Sequence, residues 1–265
     1  MPRPSDRAAL VDEIVRLAEA AGERIMAIYG GDFAVERKAD ASPVTAADRE
    51  AEALILKRLA ELTPEIPIVS EEAAAAGKTA APGERFWLVD PLDGTREFTH
   101  RIGEFTVNIA LIESAAPTLG VVHLPVAGES YSGTGPGTAR KRMKSGRVQP
   151  IAARAPRPDG LVMLTSRFHL DERALAAFLE GYLSRGREAI KARTAAGSAL
   201  KFCLIAAGEA DLYPRLGPTM EWDTAAGHAL VLAAGGRVET LEGAQLRYGK
   251  PGFRNPDFIV RGRSR

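Results

Sequence analysis

The chain has 265 residues, of which 45% are apolar and 26% are charged, and its formal net charge is +1. This length predicts one large domain or two closely packed domains, and the near-neutral charge excludes a global attraction to nucleic acid or anionic membranes. The single cysteine, Cys203, excludes a disulfide framework, and its apolar neighbours indicate a buried thiol. Because no signal-peptide pattern and no run of about 18 apolar residues occurs, we expect a soluble, cytoplasmic protein.

Two helices are predicted at the start of the chain. Apolar residues at spacings of three and four predict a helix over 6–29, which ends at Gly30-Gly31. A second helix is predicted from near Thr45, and Pro64 stops it. The segment FAVERKAD between these helices is interpreted as a short strand.

Strands are predicted next. The short apolar runs EIPIVS (65–70) and RFWLVD (85–90) predict strands, and the alanine-rich segment between them is interpreted as a mobile excursion. FTVNIALIES and LGVVHLPVAGESYSGT have the pattern of antiparallel strands in a meander. The basic, turn-rich segment 133–147 is interpreted as a solvated hairpin tip rather than an RNA or membrane contact, because no aromatic residues interleave with its charges.

From about residue 155 the predicted strands and helices alternate. The predicted strands are GLVMLTS, EAIKART, ADLYPR, GRVETL and FIVRG, with helices over 171–183, 197–208 and 223–234. This change of pattern predicts an N-terminal α+β domain over residues 1–152 and a C-terminal α/β domain over residues 153–265.

The stretch WLVDPLDGTREF places Asp90 and Asp93 at the end of a predicted strand. Pro91 keeps the chain extended, and Gly94 permits a sharp turn because glycine accepts a positive φ. If Thr95 begins a helical turn, the amides of Gly94 and Thr95 point outward and can bind a phosphate. Two carboxylates beside such amides can hold a divalent metal and a phosphate together. The alternative is a hairpin turn with a helix cap.

Two further acidic clusters precede predicted helices. In VSEE, Glu71 and Glu72 can favour the positive end of a helix that Ser70 caps. In SPVTAAD, the spacing Thr45-x-x-Asp48 is typical of a capping box, and the alternative is that Asp48 orients a hydroxyl or a water.

The fourth cluster is MEWDTAAGHAL. Asp223 is suited to cap a helix that ends at Gly235-Gly236. Ala225, Ala226 and Gly227 give this helix a slim first turn, which predicts close packing against it.

Together the four clusters indicate a metal site. Three lie at the end of a strand or the start of a helix, where α/β sheets gather ligands. Four or five carboxylates in one place would repel one another unless cations neutralise them. Oxygen ligands without a cysteine or a nearby histidine pair favour Mg²⁺ over zinc.

The motifs DPLDGT, upstream SEE and downstream EWD resemble those of the inositol monophosphatase superfamily of Mg²⁺-dependent, lithium-sensitive phosphatases. Within it, DPLDGTREF, KADASPVTAAD and the long run GSALKFCLIAAGEADLYPRLGPTMEWDTAAGHAL are similar to the CysQ branch, the 3′(2′),5′-bisphosphate nucleotidases. The resemblance covers nearly the whole chain. It implies the layered αβαβα sandwich of the inositol monophosphatase and fructose-1,6-bisphosphatase type, with α+β and α/β parts.

The resemblance also implies two bound Mg²⁺ ions, with a third left open, and the residues that hold them. These ligands are the carboxylates of Glu71, Asp90, Asp93 and Asp223 and the backbone carbonyl of Leu92. Asp90 would bridge two ions, and the Thr95 hydroxyl would join Glu71 at the first. Thr95 and Asp48 resemble the pair that positions and deprotonates the attacking water. Two ions roughly 3.5–4 Å apart can activate that water and stabilise the leaving oxygen.

Substrate contacts follow from the same resemblance. The backbone of Asp93, Gly94 and Thr95 would cradle the phosphate that is cleaved, with Glu71, Leu92 and Asp223 around it. Ser198-x-x-Lys201 and Arg215 match the positions that bind the nucleotide and its second phosphate. His169 lies where this branch often has a histidine near the nucleotide, although Phe168 replaces a residue that is more usually small and polar.

The resemblance implies a phosphatase that converts 3′-phosphoadenosine 5′-phosphate to AMP and phosphate. Alternatives are a phosphatase for inositol 1-phosphate or fructose 1,6-bisphosphate, and a catalytically silent regulator that binds metal or phosphonucleotide. The expected partner is a small phosphonucleotide, with no nucleic acid and no integral membrane segment. A monomer or a homodimer is expected, and a peripheral position at the inner membrane is left open.

Overall fold

The computed structural model describes residues 4–37, 43–78 and 81–264. Its helices are α1 (Pro4–Tyr29), α2 (Ala46–Leu62), α3 (Glu71–Ala75), α4 (Thr95–Thr99), α5 (Glu172–Ser184), α6 (Leu200–Ala206) and α7 (Ala225–Ala233), with a 3₁₀ turn at Pro251–Phe253. A short ribbon pairs β1 (Glu36–Arg37) with β2 (Pro43–Val44).

The first sheet runs in chain order from β3 to β9. Its strands are β3 (Ile68–Ser70), β4 (Arg85–Asp93), β5 (Thr106–Glu113), β6 (Ala116–Leu124), β7 (Glu129–Gly133), β8 (Arg140–Arg142) and β9 (Val148–Pro150). β3 and β4 are parallel, and the later neighbours are antiparallel, which confirms the predicted meander.

The second sheet has the order β11-β10-β12-β14-β13. Its strands are β10 (Leu161–Ser166), β11 (Ile190–Ala196), β12 (Leu212–Arg215), β13 (Arg237–Thr240) and β14 (Phe258–Arg261). β10 pairs in parallel with β11 and β12, whereas β14 is antiparallel to both of its neighbours.

The two sheets alternate with three layers of helices, because neighbouring side chains of a strand point to opposite faces of its sheet. Trp87 and Val89 of β4 pack against α1 and α2, whereas Phe86 and Leu88 of the same strand face the cluster that contains α6 and α7. That cluster continues onto the second sheet, whose outer face packs against α5. The predicted layered αβαβα architecture is confirmed. α7 belongs to the predicted C-terminal domain, yet it packs on β5, β6 and β7 of the predicted N-terminal domain as well as on β13. The division into two domains at residue 152 therefore stays a prediction.

Several local predictions need correction. Residues 71–75 of the alanine-rich segment form α3, because the Glu52 carboxylate accepts the backbone amides of Glu72 and Ala73 at 3.1 and 3.2 Å. Ser70 makes no capping hydrogen bond with its side chain. Part of the segment 133–147 forms β8, where Lys141 pairs with Glu129 at 2.7 Å. Residues 38–42 of FAVERKAD and KADASPVTAAD lie outside the described residues.

None of the described helices combines the length and the apolar character that a membrane span requires.

Candidate active site

The predicted acidic residues meet at one edge of the first sheet. β3 and β4 are parallel, so their carboxyl ends lie side by side, with Glu71 directly after β3 and Asp90 and Asp93 at the end of β4. Asp223 comes to the same pocket from the residues just before α7. The pocket also contains the predicted residues Gly94, Thr95, His169, Ser198, Lys201 and Arg215.

The turn after β4 brings Asp93 into the lining of this pocket, whereas Asp90, Leu92 and Asp48 lie behind the lining, with Asp90 close enough to Glu71, Asp93 and Asp223 to feel their charges. Asp90 pairs with Asn108 and Asp93 with Thr106, and the register shifts between these two pairs. Gly94 then takes a left-handed conformation with φ of 94°, which glycine adopts without steric cost, as predicted for this turn. A side chain here would also lie 3.3 Å from Ser198, so the site tolerates little besides glycine.

Burial and mutual repulsion dominate the electrostatics of the carboxylates. Asp90 is 1% exposed, and burial together with the neighbouring charges of Glu71 and Asp93 raises its pKa well above the usual value. Burial raises the pKa of Asp93 to about 6, although Lys201 opposes this shift. Burial, Asp93 and Glu71 likewise raise the pKa of Asp223.

The donor set fits a hard divalent cation. Asp90, Asp93 and Asp223, whose pKa values are raised, are stabilised in their charged form when a cation binds between them. Carboxylate, carbonyl and hydroxyl oxygens are the ligands that Mg²⁺ prefers. Among the described residues, no three acidic, histidine or cysteine side chains are already grouped around one point as ligands. The chemistry of the residues, rather than a preformed cage, therefore supports the metal.

Asp48 caps a helix and also reaches the site. Its Oδ2 accepts the backbone amide of Thr45 at 2.8 Å, and the Thr45 hydroxyl accepts the Ala47 amide at 3.2 Å, so the predicted capping box is confirmed. Its Oδ1 lies 3.3 Å from the Thr95 hydroxyl, which is also 3.3 Å from the Leu92 carbonyl oxygen. The two interpretations of this cluster are thus compatible, because a carboxylate has two oxygens.

Cations line the pocket beside the acids. Lys201 is 3% exposed, its Nζ donates to the carbonyls of Ala196 and Ser198 at 3.0 and 2.6 Å, and burial lowers its pKa to about 8. Arg215 donates to the Pro218 carbonyl at 2.8 Å, while its buried Nε has no hydrogen-bond partner among the described residues. Partial burial and neighbouring cations, Arg215 foremost, lower the pKa of His169 at the exposed rim.

Asp223 does not cap α7 as predicted. Its Oδ2 accepts the backbone amide of Met220 at 2.8 Å, so the carboxylate turns back toward the preceding residues. The helix begins at Ala225, with Thr224 at the capping position. The predicted slim first turn is confirmed, because a side chain at Gly227 would lie 2.4 Å from the Phe202 ring.

Sequence reasoning missed three polar residues near the pocket. Glu97 is 4% exposed, lines the pocket, and has a pKa that burial raises. Glu104 and Arg167 form a bidentate ion pair with distances of 2.9 and 2.6 Å. Glu97 lies within the DPLDGTREF motif, so a buried acid one turn after the metal motif was a usable signal. No comparable signal joins Glu104 to Arg167, which are 63 residues apart.

A larger cavity of about 660 Å³ lies between α5, β13 and β14. None of the predicted site residues lines it. The smaller pocket is the better candidate, because convergent titratable groups with shifted pKa values mark functional sites more reliably than volume.

Comparisons with known proteins show the family of this chain. The model of the inositol monophosphatase family matches residues 6–259. The 3′(2′),5′-bisphosphate nucleotidase CysQ of Salmonella typhimurium is 47% identical over 254 residues, which cover 95% of this chain and 99% of the relative. The crystal structure of CysQ from Bacteroides thetaiotaomicron superimposes with a TM-score of 0.77 at 36% identity, covering 96% and 97% of the two chains. An IMPase from Thermotoga maritima gives a TM-score of 0.74 at 26% identity, covering 96% and 92%.

Proposed function

This chain belongs to the inositol monophosphatase family, in its bisphosphate nucleotidase branch, and we propose that it hydrolyses the 3′-phosphate of 3′-phosphoadenosine 5′-phosphate to give AMP and phosphate. One observation carries this substrate: a pocket of carboxylates also contains two buried cations, Lys201 and Arg215. A nucleotide with two phosphates needs a second anion site, whereas an inositol monophosphate does not.

Mg²⁺ would be held by Glu71, Asp90, Asp93 and Asp223 and by the carbonyl of Leu92. Bound there, it would neutralise the carboxylates and act as a Lewis acid toward water and the leaving oxygen. Asp90, at 1% exposure, is held in place by the Leu92 amide, which donates to its Oδ1 at 3.0 Å. The Asn108 amide donates to Asp93 at 3.3 Å and is itself oriented by Thr106.

Asp48 and Thr95 move the proton of the attacking water. The water donates to the Thr95 hydroxyl oxygen, and the Thr95 proton is passed to Asp48 Oδ1. Asp48 keeps its orientation throughout, because its other oxygen caps α2. The amides of Asp93, Gly94 and Thr95 face the phosphate, and Lys201 and Arg215 bind the phosphate that is not cleaved.

The direct test is phosphate release from purified protein with Mg²⁺. The panel contains 3′-phosphoadenosine 5′-phosphate, inositol 1-phosphate and fructose 1,6-bisphosphate, each with and without lithium. We expect turnover to be fastest with the nucleotide and to be inhibited by lithium. Inactivity of well-folded, Mg²⁺-loaded protein on every substrate would overturn the proposal in favour of a binding regulator.

Variants of the second anion site separate the candidate substrates. Lys201→Met keeps the side-chain length but removes the charge, so it should impair nucleotide turnover far more than turnover of a monophosphate. Lys191→Met is the matched control, because Lys191 is half exposed and pairs with Asp159 away from the pocket. Equal losses on both substrates in Lys201→Met would contradict a role in binding the second phosphate.

A further inference from the structure

One acidic residue of the first half of the chain connects several segments of the second half. Glu104 lies between α4 and β5, and its carboxylate binds Arg167 through two hydrogen bonds of 2.9 and 2.6 Å. The same carboxylate accepts the Gly197 amide at 2.7 Å, and the Glu104 carbonyl accepts the Ser198 hydroxyl at 2.7 Å. Bidentate, charge-assisted bonds of this kind fix both distance and direction.

The segment that Glu104 holds contains Ser198 and Lys201, two of the residues proposed to bind the nucleotide. Arg167 also donates to the Ala195 carbonyl at 3.1 Å, at the end of β11. Lys201 donates to the Ala196 and Ser198 carbonyls, so its ammonium position depends on the backbone of this segment. The contacts that fix the backbone of 195–198 therefore also fix the position of the Lys201 ammonium in the pocket.

The backbone of this segment is strained, so it needs such support. Ser198 has a φ of 39°, a left-handed conformation that a residue other than glycine adopts only at an energetic cost. Gly197 is enclosed on its other side, because a side chain there would lie 2.7 Å from the Glu97 carboxylate. Strain of this kind persists where surrounding contacts over-determine the conformation.

We propose that Glu104 and Arg167 are positioning residues that hold segment 195–201 at the distance from the carboxylates which a bisphosphorylated nucleotide requires. The substrate part of this inference rests on the proposed function, whereas the geometric part does not. Neither residue lines the pocket, so we expect the pair to set nucleotide affinity and to leave the chemical step unchanged.

Steady-state kinetics tests the effect on affinity. Glu104→Ala should raise KM for 3′-phosphoadenosine 5′-phosphate about tenfold, with kcat within about twofold of wild type, as expected when only uniform binding is lost. Glu104→Gln keeps an acceptor for the Gly197 amide and should have a smaller effect. KM for p-nitrophenyl phosphate, which has no second phosphate, should not change.

Glu172→Ala provides the matched control. Glu172 forms the same kind of bidentate pair with Arg193, with one distance of 2.9 Å, but its carboxylate accepts from Arg193 and not from the Gly197 amide that Glu104 holds. Its kinetic constants should equal those of wild type. If Glu104→Ala lowers kcat equally for both substrates at unchanged KM, or matches Glu172→Ala throughout, the proposal is wrong.

Hydrogen exchange supplies a readout that does not depend on turnover. Backbone amides of segment 195–201 should exchange faster in Glu104→Ala than in wild type, and at the wild-type rate in Glu172→Ala. If wild type fails to hydrolyse the nucleotide, the proposed function fails while exchange still tests the geometry. Unchanged exchange in Glu104→Ala would overturn the inference. Should that variant not fold, Glu104→Gln and Arg167→Lys serve in the same comparison.

Discussion

The Thr95 hydroxyl oxygen is 3.3 Å from two acceptors, Asp48 Oδ1 and the Leu92 carbonyl oxygen. A hydroxyl carries a single proton, so it donates to only one of them at a time. When it donates to Asp48, its lone pairs are available to a water in the pocket. Asp48 cannot rotate away without breaking the cap of α2. A contact required for folding therefore also fixes the direction of the proposed proton transfer.

Thr95→Ala should lower kcat for phosphate release by about 10²- to 10⁴-fold, the usual contribution of a positioned proton-transfer group. Thr95→Ser should retain most of the rate because it keeps the hydroxyl. Thr99→Ala is the control, since Thr99 lies on the same short helix and donates to the Arg96 carbonyl. Rates measured at saturating nucleotide decide the matter, and equal rates in Thr95→Ala and Thr99→Ala would rule out this role.

At the scale of single residues, the sequence predicts contacts and turns that involve residues only a few positions apart. The cap of α2 follows from Thr45-x-x-Asp48, and the turn after β4 follows from Asp93-Gly94. The contacts of Glu104 do not follow, because its partners lie 63 and 93 residues away and are brought near only by the fold. The direction of the Asp223 side chain was also unpredictable, since its partner is a backbone amide of a loop.

Two helices cross closely in the central layer. Gly227 of α7 faces Phe202 of α6, and a side chain at this glycine would lie 2.4 Å from the Phe202 ring. This steric overlap could be relieved only if one helix moved, because the Phe202 side chain is 2% exposed and has no free space to turn into. The start of α7, which follows Asp223, therefore has a position that depends on a glycine.

Gly227→Ala should lower the free energy of unfolding by about 1–3 kcal/mol, the usual cost of overpacking a core. Gly181→Ala in α5 should instead raise it by about 0.5–1 kcal/mol, because alanine favours helix and no described atom lies within 4 Å of the new side chain. Denaturant unfolding measures both variants. A Gly227→Ala protein as stable as Gly181→Ala would disprove close packing at this crossing.

Element predictions from the sequence succeed where an apolar run is flanked by turn signals. The run RFWLVD predicts β4, in which Trp87 lies on one face and Leu88 on the other. They fail at the cap of α3, because Glu52 from another helix, and not Ser70, caps its amides. They also underestimate β8, where pairing with β7 neutralises Lys141 through Glu129. In both failures a distant partner decides the local conformation.

The folded protein buries two histidines, His123 and His228, in their neutral form. His228 is fully buried against the Tyr248 hydroxyl at 2.9 Å, and burial lowers its pKa to about 3. Burial also lowers the pKa of His123 to about 4. Above about pH 6.5 both histidines are neutral whether the chain is folded or unfolded. Below that pH the unfolded chain takes up protons that the folded chain excludes, so acid destabilises the fold.

His228→Gln should therefore weaken the dependence of stability on pH. Between pH 6 and 4 the free energy of unfolding of wild type should lose about 1.4 kcal/mol per pH unit through this one proton, and the variant should lack that component. Unfolding curves across this range measure the slope. His100→Gln, at an exposed position, should keep the wild-type slope. An identical slope in His228→Gln would show that His228 is not the group responsible.

The packing of α7 on the first sheet has a consequence for how such an enzyme can diverge. Gly120 of β6 has no room for a side chain beside Ala226 of α7, so this helix and the Asp223 before it belong with the first sheet. Lys201 and Arg215 belong to α6 and β12, which pack with the second sheet, although α6 also packs on α7. Substitutions that spare the contact between α6 and α7 can therefore alter the anion site without moving Asp223. Lineages with this architecture can change substrate while they keep the carboxylates that would bind the metal.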